Sequence, residues 1–278
     1  MSRGVGHNGP VPRMHLFELE DQAWFPALIR DAGTAYLGLV VRLMGQARPL
    51  VPKLREALER SGECHIVDLC SGSAGPLPGV LEELTAQGLE VTATLTDVYP
   101  NLASLERACA GSEGRFNFVR EPVDACDVPK SLSGLRTLFN ALHHFRPAAA
   151  RSILQSAVDD GQPIGVFEIV GRHPLQLFGM LFVALPVMLC VPFLRPFRWS
   201  WLLLTYVIPV IPLFVMWDGL VSCLRVYSPG ELHELLAGLE GAERFEWEIG
   251  RIGLPPGPLQ ATYLIGTPRR VAAARAAG

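Results

Sequence analysis

The chain has 278 residues, enough for one large domain or one domain carrying an insertion. Its net charge is −3 with no basic run suited to a phosphate backbone, which excludes DNA or RNA as an expected substrate. Hydrophobic residues make up 49% of it and the mean hydropathy is +0.27, high for a soluble domain, with most of the excess between Leu175 and Trp217.

Residues 1–13 are Gly/Pro-rich and polar and lack an apolar core segment, so they read as a disordered leader without a signal peptide. From His15 to Gln46, Trp24, Leu28, Leu37, Val40, Val41 and Met44 recur at helical spacing and predict one or two helices. Glu18, Glu20 and Asp21 crowd the expected helix start, where the dipole favours negative charge, and Pro26 and Gly33 are placed to bend or split it. A second helix is predicted over Val51–Arg60.

At Cys64–Gly75 a short apolar run, Ile66 and Val67, ends in Asp68; a glycine-bearing turn and a helix, Leu77–Gln87, follow. Strand, tight loop and helix start together aim backbone N–H groups at a ligand. Gly72 and Gly75 let the backbone approach it closely. Read as G-x-G-x-x-G the frame is Cys70, Gly72, Gly75, so the dinucleotide fingerprint lacks its first glycine. None of the six cysteines forms a C-x-x-C pair, so neither a zinc site nor a disulfide framework is expected, and a reducing compartment is.

The next predicted strand, Glu90–Leu95, ends at Thr96-Asp97, with Val98 following. An acid there suits a ribose, because a carboxylate accepts two hydroxyl protons at once; the same residues also make turn chemistry. A helix over Leu102–Ala110 and a third strand over Phe116–Val119 lead into an acidic loop with Asp124, Ala125 and Asp127. The fourth strand, Leu135–Phe139, runs into Asn140, His143 and His144, at the edge of a parallel sheet where ligands bind. A histidine there can serve as a general base or as a structural partner under the loop. A helix over Pro147–Asp159 and a fifth strand over Pro163–Val170, with Glu168 near its end, complete this part.

Asp68 with Gly72 and Gly75 resembles the first motif of class I S-adenosylmethionine (SAM)-dependent methyltransferases, and Thr96–Asn101 is similar to their second motif. The resemblance covers about Cys64–Gly171 and resumes over Ser228–Pro268. It implies an α/β fold, a seven-stranded, mostly parallel, doubly wound sheet that ends in an antiparallel pair, and SAM as cofactor. By the same resemblance Asp68, Gly72, Ser73 and Gly75 lie around the methionine part, Asp97 and Val98 at the ribose, Asp124 and Ala125 near the adenine, with Asn140 alongside. Helices before the first strand commonly cap the cofactor in this family. Leu142-His143-His144 looks like the segment found in many of its small-molecule enzymes, whereas the Asn-Pro-Pro-aromatic signature of amide and amine methylation is absent. Cys70 and Ala74 stand where the family usually has glycine.

Two uncharged apolar runs follow, Leu177–Leu194 and Trp199–Trp217, joined by Arg195-Pro196-Phe197-Arg198. Each approaches the length needed to cross a bilayer, but Pro186, Pro192, Pro209 and Pro212 break helices, and the basic turn prefers the cytoplasmic side. A re-entrant or surface hairpin, a two-helix span and a buried lid all remain open, and each implies a lipophilic acceptor. Beyond the runs, Asp218, Arg225 and Tyr227 are candidates for the acceptor site, or for an interfacial border. Ser228, Pro229 and Glu231 spell a helix start.

The expected organisation is a leader (1–13), N-terminal helices (14–62), a SAM-binding core (63–172), a membrane-associated hairpin (173–227), the rest of the core (228–268) and a tail (269–278). The expected activity is methyl transfer from SAM to a lipophilic small molecule at the cytoplasmic face of a membrane, with His143, His144, Asp218 or Tyr227 as the acceptor-side groups. Membrane lipid, through 175–217, is the expected partner. Two alternatives stay open: a nicotinamide-dependent oxidoreductase acting on a lipid, and a non-catalytic SAM-binding protein attached to a membrane.

Overall fold

In the computed structural model, residues 11–255, 257 and 259–269 are described. Seven strands, β1 His65–Asp68, β2 Thr92–Leu95, β3 Phe116–Phe118, β4 Leu135–Phe139, β5 Ile164–Glu168, β6 Phe245–Gly253 and β7 Gln260–Pro268, form one sheet in the order β3-β2-β1-β4-β5-β7-β6. The first five run parallel, and β7 lies antiparallel between β5 and β6. Ile66, Val67, Ile164, Val166 and Phe167 are fully buried, as strands covered on both faces require.

Before the sheet come α1 Ala27–Leu43 and α2 Val51–Ser61; α3 Leu77–Ala86, α4 Leu102–Ala110 and α5 Pro147–Asp159 lie between its strands. After β5 the chain forms α6 Pro174–Met180, α7 Ala184–Cys190, α8 Trp199–Leu202, α9 Val210–Arg225 and α10 Pro229–Leu236. Leu54, Leu58, Leu77 and Leu81 of α2 and α3 pack on one face of the sheet, and Ile153, Leu154, Leu232 and Leu235 of α5 and α10 on the other. At α10, Ser228 and Glu231 close the reciprocal capping box that the sequence spells. The strand order reverses between β1 and β4, and the crevice beyond their carboxyl ends is where such sheets take ligands.

The N-terminal reading needs correction. Only Ala27–Leu43 is helical, with Pro26 as its N-cap and no acid in its first turn. Glu18, Glu20 and Asp21 lie instead in an irregular segment, where Leu19 and Glu20 donate their backbone N–H groups to Asp218 at 2.8 and 2.9 Å. Gly33 does not bend the helix: a Cβ there would come within 2.6 Å of the Phe214 ring, so its role is close approach to α9. α2 packs into the core of the sheet rather than over its ligand edge.

The leader expected over 1–13 is corrected at its end. Arg13 donates from Nε to the Arg225 carbonyl at 2.5 Å and stacks on the Tyr227 ring at 3.9 Å. Residues 1–10, and 270–278 of the expected tail, lie outside the described residues.

The apolar insertion is a chain of short helices rather than a two-helix hairpin. The axes of Pro174–Met180 and Ala184–Phe193 meet at 52°, and those of Trp199–Val207 and Val210–Arg225 at 78°. No single helix among the described residues is long and apolar enough to cross a membrane. The second bend falls at Pro209, which cannot continue the preceding turn's hydrogen bonds. One side of the insertion is buried: Val187, Val191, Trp201, Ile211 and Phe214 pack with Phe25, Ile29 and Tyr36 as a third core. The other side leaves Leu185, Leu189, Phe193, Trp199 and Val207 more than half exposed.

Candidate functional site

The loop after β1 carries an unusual backbone. Cys70, Gly72, Ala74 and Gly75 have φ of +56°, +53°, +70° and +45°. Glycine adopts this region freely, whereas Cys70 and Ala74 are held there at a cost on the order of 1–2 kcal/mol each. The two departures from the glycine pattern thus keep the backbone that glycine would give. Hydrogen bonds secure it: Ser71 N donates to the Thr96 carbonyl (2.9 Å) and Gly72 N to Asp97 Oδ2 (2.9 Å). A Cβ placed on Gly72 or Gly75 would meet nothing within 4 Å, so open space lies against both.

Around this loop the structure gathers the predicted cofactor residues. Asp97 Oδ1 accepts from Tyr99 N (2.9 Å), and the Asp97 carbonyl accepts from Val123 N (2.9 Å), tying the Asp124 loop to the end of β2. Asp124 Oδ1 accepts from Cys126 N at 2.8 Å. The side chains of Asp97 and Asp124 reach solvent, and two carboxylate oxygens with one bond apiece leave Asp97 capacity for two further donors. Cys70 sits among these acids; burial pushes its thiol well up, and Asp97, Asp68 and Asp124 add to the effect. Val98 is exposed and Ala125 is buried.

Asp68 is different. It is 2% exposed, and its Oδ1 accepts from Thr137 Oγ1 of β4 at 2.6 Å, while its carbonyl accepts from Ser71 Oγ (2.8 Å) and from Thr96 Oγ1 (2.9 Å). Burial pushes its carboxyl up to about 7. It anchors the loop from beneath. Asn140, with φ +50°, accepts at Oδ1 from Ile169 N (2.6 Å) and so joins the ends of β4 and β5. Ser73 and Gly75 face a groove of about 960 Å³ between α1, α3 and α4, whose lining does not include Asp97, Asp124 or Asn140.

A second, buried polar cluster stands beyond the ends of β4 and β5. His143 Nδ1 lies 2.6 Å from Glu168 Oε2, and its backbone N–H donates to Glu168 Oε1 at 3.0 Å. The ring of His144 lies 4.2 Å from that of His143, and its Nδ1 is 3.0 Å from both Glu18 Oε2 and Asp21 Oδ1. Although burial works against charge on His144, its hydrogen bond to Asp21 and the Glu18 carboxylate beside it hold its pKa well above the usual histidine value. Arg225 donates from Nη1 to Asp21 Oδ2 at 2.6 Å. For Asp21, burial acts upward, but His144 and Arg225 outweigh it and hold the carboxyl down at about 2.

The sequence candidates divide here. His143 and His144 are brought together, with Glu168, Glu18 and Asp21, which sequence reasoning did not place in a site. Asp218 is bound by the backbone of Leu19 and Glu20, and burial lifts its carboxyl to about 7. Tyr227 donates its hydroxyl to the Phe145 carbonyl at 2.7 Å, and burial raises its pKa to about 12. Both side chains are taken up in holding the acidic segment and the turn after His144. The pairing of Glu168 with His143 was hinted at by its place near a strand end; that of Glu18 and Asp21 carried no local signal, because it spans more than 120 residues.

No protein-family model matches the chain, and no curated protein matches it. Solved structures do share its fold. An O-methyltransferase family protein from Burkholderia thailandensis superposes with a TM-score of 0.50 at 16% identity, over 86% of this chain and 60% of that one. The plantazolicin methyltransferase BpumL, in complex with SAH, gives a TM-score of 0.55 at 11% identity, over 90% of this chain and 94% of its own. The chain therefore spans only 60% of the length of the Burkholderia protein. With its sheet order and glycine loop, the chain has the class I SAM-dependent methyltransferase fold.

Proposed function

We propose that the chain is a SAM-dependent methyltransferase acting on a lipophilic small molecule at a membrane surface. The observation that carries the cofactor reading is the left-handed glycine loop, open at Gly72 and Gly75 and bonded to the solvent-reaching carboxylate of Asp97. These residues fit SAM: the loop beside the methionine part, Asp97 on the ribose hydroxyls, the Asp124 loop at the adenine. The SAH in the BpumL structure supports the same reading. When bound, SAM supplies a methyl group on a positively charged sulfur. The chain's own task is to hold the acceptor in line with it, exclude water and dispose of the acceptor's proton. The cluster of His143, Glu168, His144 and Glu18 is the polar group at the ligand edge of the sheet available for that task.

The lipophilic acceptor and the membrane surface are inferred from the exposed side of the insertion. Large apolar side chains exposed in such number along one insertion point to a covering surface. Leu189, Phe193 and Trp199 are 73%, 70% and 77% exposed. Broken helices of this length suit lying in the interface better than crossing it.

Calorimetry with SAM, SAH and NADH on detergent-purified protein tests the cofactor reading. Micromolar binding of SAM and SAH without NADH is the expected result. NADH binding without SAM binding would overturn it in favour of an oxidoreductase. Co-flotation with phospholipid vesicles tests the second half, and protein that stays at the bottom of the gradient would refute surface attachment.

A further inference from the structure

The buried cluster beyond β4 and β5 converges on one point. One ligand atom each from Glu18, His143 and His144 lie within 4.8 Å of one another. We infer that these three side chains bind a divalent transition-metal ion. The proposal deepens the methyltransferase reading by naming what holds the acceptor's oxygen, but the ion's binding rests on these side chains alone.

Three observations carry it. The first is geometry: three atoms at most 4.8 Å apart lie within about 2.8 Å of their common centre, so each moves inward by about 0.8 Å at most to meet a 2.0–2.2 Å bond. The second is an unmet need. Glu18 is 0% exposed, and its Oε2 has no hydrogen-bond partner, although His144 Nδ1 and Arg225 Nη1 approach to 3.0 and 3.2 Å. A buried carboxylate oxygen without an aligned hydrogen-bond donor is costly, and a cation satisfies it. The third is the carboxylate behind His143: Glu168 at Nδ1 fixes the ring and leaves Nε2 as the free donor, the outer-shell arrangement that metal-binding histidines have.

Two histidines and one carboxylate, with coordination positions left over, suit Zn²⁺, Fe²⁺, Mn²⁺ or Co²⁺ rather than Mg²⁺ or Ca²⁺, which prefer all-oxygen sites. Held by Glu18, His143 and His144, such an ion would make an acceptor hydroxyl more acidic; the proton would pass to solvent, the oxygen would bond the methyl carbon as the sulfur–methyl bond of SAM breaks, and S-adenosylhomocysteine would leave.

The test uses tag-free full-length protein stripped with a chelator. Titration with Co²⁺ alone should give one site per chain and visible d–d bands, and Zn²⁺ should abolish them by displacement. Glu18→Gln and His144→Ala should each weaken Co²⁺ binding at least tenfold. His173→Ala, outside the cluster, should leave it unchanged. A folded wild-type protein without a Co²⁺ band, or one whose band survives both cluster variants, would overturn the proposal. SAM calorimetry on the same stripped sample separates the two readings: SAM binding without Co²⁺ binding sinks the metal alone, and Co²⁺ binding without SAM binding sinks the cofactor reading alone.

Discussion

Asp68→Asn offers a prediction whose magnitude follows from one buried group. In the folded chain burial holds the Asp68 carboxyl at about 7, against 3.8 as the ordinary value. A carboxyl raised in this way opposes folding once it must ionise: its relative contribution is full below 3.8 and is lost as pH rises through about 7. At about pH 5 the unfolded carboxyl is almost wholly ionised and the folded one is not, a penalty of roughly 1.7 kcal/mol; at about pH 8.5 the penalty approaches roughly 4.3 kcal/mol. The difference, about 2.6 kcal/mol, is the stability this group removes across that interval. Asparagine keeps an oxygen for Thr137 Oγ1 and cannot ionise. Urea unfolding of both proteins at the two pH values is the assay, read as the variant's stability minus that of the wild type. That difference should grow by about 2–3 kcal/mol toward alkaline pH, and Asp218, raised for a similar reason, cancels because both proteins carry it. A difference constant to within about 0.5 kcal/mol would refute the buried, neutral Asp68.

Asp97→Ala should weaken SAM binding by about 1–3 kcal/mol in calorimetry, since it removes the proposed ribose acceptor and frees the Gly72 N–H; unchanged affinity would sink the ribose assignment. Replacing Leu189, Phe193 and Trp199 together by serine should lower vesicle co-flotation at least tenfold with little change in unfolding temperature, because all three are mostly exposed; undiminished flotation would remove this face as the attachment surface. Gly33→Ala should destabilise the chain by about 1–3 kcal/mol, as its Cβ meets Phe214 at 2.6 Å; wild-type stability would show that α1 and α9 part at no cost.

How much of this was legible in the sequence follows from how local each signal is. The ends of Leu102–Ala110, Leu135–Phe139 and Pro147–Asp159 agree with the structure to the residue, because the Asn101 cap, Gly134 ahead of the strand and Pro147 mark them locally. The glycine loop was legible for the same reason, although the residues alone did not reveal that Cys70 and Ala74 take the left-handed backbone. The acidic segment misled. Three carboxylates ahead of an apolar periodicity look like a helix start, yet they answer to His144, Ser222 and Arg225, partners with no trace in local pattern. The insertion was readable as apolar, but its breaks at 181–183 and Pro209, and its packing on α1, are tertiary facts.

The acidic segment also explains why the insertion matters to the site. Ser222 and Arg225 of α9 bond Glu18 and Asp21, and Asp218 of the same helix holds the backbone of Leu19 and Glu20. The carboxylates that reach His144 are thus positioned by the helix that ends the apolar insertion, not by the sheet. The same helix carries Phe214 into the core shared with α1 and with the helices whose outer side is exposed.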